Sequence, residues 1–224
     1  SLSIHEKLIV ILDMGSKIQQ CINTDEYDNI KSVVNDYLKE GIAHTLDETR
    51  NLSDSGQFED ISLQQGIRQI LYPYEEMEVL NPEWEVILKD IIDSLFEQMS
   101  DEEYNILNEE FGTYMVSRAY EYRQLLEYLV FRYFAKSIYD YDFLGKCQML
   151  VTNFFVIRQM DIIRWLDNHR EYSFKDRMDV VHIFSRQVEY SEDNIENLYE
   201  DFIFDDIFKT DSLIAILWID SENI

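Results

Sequence analysis

The chain has 224 residues, with 45 Asp plus Glu against 19 Lys plus Arg and a formal net charge of −26. So acidic a balance excludes nucleic acid as a default partner and disfavours anionic membrane surfaces, because both are bound through clustered cations. Apolar residues make up 46%, and only six Gly and two Pro are present, which excludes extended disorder; at this length about 70% of the unfolded surface is buried, enough for one sizeable core or two small ones. Apolar residues recur at helical spacing almost throughout, so the expected fold is all-α, a bundle-like array of roughly nine to ten helices with no sheet. Leu8, Ile11, Leu12, Ile18 and Ile22 mark the first helix, to about Asn23, with Ser3 and Glu6 in capping-box positions. Thr24 stands as the cap of a second helix carrying Tyr27, Ile30, Val33, Val34, Tyr37 and Leu38, closed by Gly41 in the left-handed conformation. Residues 42–60 read as less regular, with a mobile loop at 51–56, and 64–71 as a helix ending before Pro73.

Asn81-Pro82-Glu83 is a helix start: a cap residue, proline at the first helical position and an acid in the first turn. Ser100-Asp-Glu-Glu opens another, running through Tyr114. The stretch 120–138 is dense enough in Leu, Tyr, Phe and Val to be a central helix, and 142–166 is similar, with Tyr-Asp-Tyr-Asp as a short turn between them. Ser173 with Asp176 starts the next helix, Ser191 another bearing Ile195, Leu198 and Phe202, and Thr210-Asp211 a last one through Trp218. A division falls most naturally between Leu71 and Asn81, giving an N-terminal helical part, 1–77, and a second, 78–224, or one continuous domain.

No Gly-x-Gly-x-x-Gly or P-loop can be written from glycines at 15, 41, 56, 66, 112 and 145. Cys21 and Cys147 are too few for a thiolate zinc site or an iron-sulfur cluster, and read as two buried free thiols, with one disulfide as the alternative. No two of His5, His44, His169 and His182 are four apart, and only Asp179 with His182 approaches a Glu-x-x-His pair. With no 18-residue apolar run and no signal sequence, the chain reads as soluble and cytoplasmic. It starts at Ser1, as a processed product or an excised piece would. Glu189, Glu192, Glu196 and Glu200 form an acidic stripe, either a solvated face or a landing surface for a basic partner. Arg132, set among aromatics at 128–134, has two readings. One is a structural clamp to Asp140 or Asp142; the other is a pocket wall that holds a carboxylate, with a tyrosine stacked on a ring or sulfonium.

Several runs carry a resemblance. Phe131-Arg132-Tyr133-Phe134, Tyr139-Asp140-Tyr141-Asp142-Phe143-Leu144-Gly145-Lys146 and Ile162-Ile163-Arg164-Trp165-Leu166 look like the C-terminal part of bacterial flagellin lysine-N-methylases. Ile183 to Asn194, where that family has Tyr-Ser-Arg-Glu-Ile-Glu-His-Ser-Glu-Glu-Asn, and Leu80 to Trp84 resemble it too. The similarity covers about 78–200, with 1–77 matching only in character. It departs at Tyr141, where glycine is common, and Tyr190, where histidine is common. The resemblance implies methyl transfer from S-adenosylmethionine to lysine side chains of flagellin or another lysine-rich surface. It implies a cysteine-rich N-terminal section with a metal or iron-sulfur centre that this sequence does not contain. By motif position and polarity the candidate contacts are Arg132, Tyr133, Asp140, Asp142 and Lys146, with Arg186, Glu189 and Glu192 as a second group. The competing expectation is a non-catalytic acidic helical module that recognises a basic partner or scaffolds the cysteine-rich domain.

Overall fold

The computed structural model describes residues 2–54 and 61–222. Among the described residues it is helical with no strand, as the spacing predicts. The helices are α1 (Ile4–Asn23), α2 (Tyr27–Asp36), α3 (Ile42–Asp54), α4 (Leu63–Glu75), α5 (Pro82–Ile91), α6 (Asp101–Met115), α7 (Ala119–Tyr133), α8 (Ser137–Asp140), α9 (Phe143–Asp167), α10 (Phe174–Phe184), α11 (Glu192–Phe204) and α12 (Thr210–Glu222). Short π-helical stretches extend α2, α5 and α10.

The axis of the molecule is α9, buried on every side from Gly145 to Ile163. Around it pack α1, α4, α5, α7, α10, α11 and α12. One apolar cluster runs from Leu8 to Trp218. A helix buried all round cannot leave its polar residues to water, so each needs a partner from its surroundings. Gln148, for instance, donates to the Phe208 carbonyl at 2.8 Å.

The capping boxes at Ser3, Ser100 and Ser173 form, as does the Asn81 cap with Pro82 behind it. Elsewhere tertiary contacts override local signals. Thr24 closes α1 rather than opening α2, which begins at Tyr27 without a side-chain cap. Gly41 ends no helix: it closes the π-helical stretch Tyr37–Gly41, which runs on into α3, and a Cβ there would lie 2.9 Å from the Asp36 carbonyl oxygen. The irregular segment expected from 42 is α3 as far as Asp54, because its polar face is buried and bonded. Thr45 donates to Asp13 at 2.8 Å, Thr49 to the Thr45 carbonyl at 2.7 Å, and Trp218 to Thr49 at 3.2 Å. Of the expected loop 51–56, the first four residues are helical and the last two lie outside the described residues.

Pro73 does not stop α4, which continues to Glu75. Tyr74 anchors that last turn: fully buried, it donates to Asn153 Oδ1 at 2.9 Å, with the Thr152 hydroxyl 3.1 Å from its oxygen. The aromatic stretch 120–138 is not central. It breaks after Tyr133, and α7 buries one face only, leaving Phe131 86% exposed.

Candidate functional site

The turn into α9 gathers three of the eight candidate residues, Asp140, Asp142 and Lys146. Tyr141 adopts the left-handed conformation (φ 57°), which swings Asp142 into position to cap α9 by accepting from the Gly145 N–H at 2.9 Å. A carboxylate there is favoured by the helix dipole. One turn on, the buried Lys146 Nζ lies 2.8 Å from Asp140 Oδ2, 3.4 Å from Asp142 Oδ2 and 3.9 Å from the centre of the Tyr199 ring. Burial opposes the ammonium charge, but the bond to Asp140, with Tyr199 and Asp142 nearby, outweighs it and holds the lysine above its ordinary 10.5. Lys146 ties the two carboxylates of this turn to Tyr199.

Tyr133 is buried nearby, and burial, then the neighbouring Glu189 charge, push its phenol far up. Among the described residues, Tyr133 Oη and Asn153 Nδ2 meet no hydrogen-bond partner. Glu189 is buried as well, accepting from Tyr128 at 2.9 Å and Ser185 at 2.8 Å. The acidic stripe thus loses its first member, while Glu192, Glu196 and Glu200 stay exposed on α11. Asp140, Asp142 and Lys146 come together, Tyr133 and Glu189 are buried as neighbours, and Arg132, Arg186 and Glu192 remain on the surface. The expected clamp from Arg132 does not form, since Lys146 takes both carboxylates and Arg132 lies 5.8 Å from the centre of the Tyr133 ring.

Two ionic networks in the core had no counterpart in the sequence reading. In the first, Asp161 accepts from Arg177 at 2.5 Å, from Tyr122 at 2.6 Å and from Tyr172. Arg177 also reaches Glu121 at 3.2 Å, and Glu121 pairs with Arg118 at 2.7 Å. Burial pushes the Asp161 carboxyl up, against the pull of Arg177 and both phenols; Arg177 is held far above its ordinary range, its burial outweighed by Asp161 and the two tyrosines. In the second, Asp220 takes His5 Nε2 at 2.7 Å and Asn108 Nδ2 at 2.5 Å, while Arg158 bonds Asn108 and stands 3.9 Å from Asp220. Burial opposes ionisation of Asp220, yet Arg158 and His5 outweigh it and hold the carboxyl well below the usual range. The first network spans α7, α9 and α10 and the second joins both ends of the chain, His5 and Asp220 being 215 residues apart, so no local spacing could reveal them.

Phe154 stands between the networks, edge to face with His5 at 5.6 Å and with Tyr122 at 5.5 Å. Beside it is a cavity of about 210 Å³, its walls including Phe111, Met115, Tyr122, Phe154, His5 and Arg158. A second concavity, a shallow cleft of about 770 Å³, follows the turn from α9 to α10. Tyr114, Asp167, His169, Glu171, Tyr172 and Asp176 line it. Among the described residues no group of three or more His, Cys, Asp or Glu is placed to hold a metal ion, Cys21 and Cys147 are buried free thiols, and no helix is long and apolar enough to cross a membrane.

The run 183–194 has a structural task. Gln187, fully buried, accepts from the Leu80 and Asn81 N–H groups at 2.9 and 3.2 Å and donates to the Glu78 carbonyl at 2.7 Å. Asn194 accepts from the Glu78 N–H at 3.0 Å and donates back to its carbonyl at 3.1 Å. These two side chains fix the strap 78–81, whose Asn81 caps α5 and sets Trp84 against Phe184, centroids 6.3 Å apart. Two of the runs that resemble flagellin lysine-N-methylases, 80–84 and 183–194, are thus partners in one contact.

The fold and site define an all-helical domain built on a buried polar axis. The chain belongs to the family of the FliB lysine N-methylase C-terminal domain, which it matches over residues 1–216. The match takes in α1 to α4, where the sequence reading found similarity only of character. No curated protein and no solved structure matches the chain.

Proposed function

We propose that this domain contributes to methyl transfer from S-adenosylmethionine to lysine side chains of flagellin. The observation that carries the reading is the family match over residues 1–216. The donor is a substrate with a sulfonium, a ribose diol and an amino-acid tail. The 210 Å³ cavity is below the roughly 300 Å³ at which drug-sized ligand sites begin. The 770 Å³ cleft is large enough, and its chemistry fits: Asp167 and Glu171 suit the ribose hydroxyls and the cationic sulfur, and Tyr114, 37% exposed, offers a ring. For transfer the target amine must be neutral. Carboxylates close to it would keep it charged, so the acidic exterior serves attraction and the amine must lose its proton elsewhere.

Titration calorimetry of S-adenosylmethionine, with Asp167→Asn/Glu171→Gln as the comparison, tests the assignment. Saturable binding by the parent chain, lost in the variant at unchanged melting temperature, supports it. Binding that survives the double substitution removes the donor from this cleft.

A second reading is favoured by the exposed face around Arg132 and Arg186, where Phe131, Tyr139 and Tyr190 are 86%, 85% and 78% exposed. Arginine and aromatics are the residues enriched in protein interfaces. In this reading the domain recognises flagellin and takes no part in holding the donor. Flagellin binding without donor affinity, weakened by Phe131→Ser and Tyr139→Ser, would support it.

A further inference from the structure

The cavity beside Phe154 has no part in either reading. We propose that it is a binding site for a small neutral aromatic molecule of one ring carrying one acceptor oxygen. Size comes first. A dry cavity of about 150 Å³ accommodates benzene, so about 210 Å³ suits a ring with a short substituent, eight to ten heavy atoms in all. Phe111, Phe154 and Tyr122 supply ring faces and edges, and Met115 a thioether, which are the surfaces an aromatic ring packs against best.

The polar end selects the substituent. Arg158 and His5 line the cavity at 2% and 6% exposure, so both are built into its wall. The Arg158 guanidinium stands 3.9 Å from Asp220, which also bonds His5 Nε2 at 2.7 Å, so its charge already has a partner. An anionic ligand would meet that carboxylate at close quarters and compete with it for the guanidinium. A neutral acceptor meets no such penalty, because the guanidinium has five N–H groups and its two bonds to Asn108 leave others to donate. Ser3, Val116 and Ala119 are the exposed members of the lining and mark the mouth, where the start of α1 faces the junction of α6 and α7.

The test follows the Met115 methyl resonance of the chain during titration with acetophenone and with benzoate, two rings of equal heavy-atom count. A saturable shift with acetophenone, at least about tenfold weaker with benzoate, is expected. Ala119→Phe, which fills the mouth from an exposed position, should abolish the acetophenone shift without lowering the melting temperature. If that variant fails to fold, Val116→Trp, also on the exposed rim, takes its place. No saturable shift with either probe, tighter binding of benzoate, or binding unchanged in the blocked variant would each overturn the proposal.

Discussion

Asp220 keeps its charge where water cannot reach it, and that makes it a pH sensor of folding. Its folded-state pKa lies below the ordinary 3.8, so the unfolded chain binds more protons and stability rises with pH through that range. The contribution is complete above the unfolded value and is lost as pH falls through the folded one. Asp220→Asn should therefore flatten the dependence of urea-unfolding free energy on pH below about 4, while also lowering stability at neutral pH by stranding Arg158. Gln187 and Asn194 make a different case, since each satisfies backbone groups of the same strap. Alanine at either should cost about 1 to 3 kcal/mol in urea unfolding. The double variant should cost less than the sum, because both losses release Glu78.

Among the elements, α1 and α9 are in tight contact at Gly15, where an added Cβ would lie 2.5 Å from Cys147 Sγ. The thiol is 0% exposed and cannot give way without disturbing the core. Gly15→Ala should destabilise by about 1 to 3 kcal/mol, and pairing it with Cys147→Ala should recover part of the loss; equal melting temperatures for the single and double variants would contradict the contact. Helix starts were legible because a cap is local chemistry: Ser3, Asn81, Ser100 and Ser173 announce themselves within four residues. Helix continuation was not. The turn at Pro73 is held in helix through the bond from Tyr74 to Asn153, and the polar face of α3 through Trp218, partners far off in sequence. For the same reason the Lys146 cluster was half visible, its carboxylates four and six residues away, whereas the Asp161 and Asp220 networks were invisible. Aromatic density misled at α7, whose rings point outward as often as in.

At the scale of the whole molecule, −26 charges on 224 residues repel one another across the surface. The screening length shrinks to about 10 Å at 0.1 M salt. Added sodium chloride should thus raise the melting temperature while weakening association with a basic protein surface, and a melting temperature that falls with salt would show exposed ion pairs to dominate. The internal networks lie beyond the reach of screening.

The seat of Lys146 has one more consequence. A member of a lysine N-methylase domain family hides a lysine of its own, its amine sealed under Tyr199 and Asp140 while Lys89, Lys136 and Lys175 stand in solvent. Amine-reactive acylating reagents should mark those three within minutes and spare Lys146 until the chain unfolds. The mass of a single peptide then reports whether α9 is still wrapped by its neighbours.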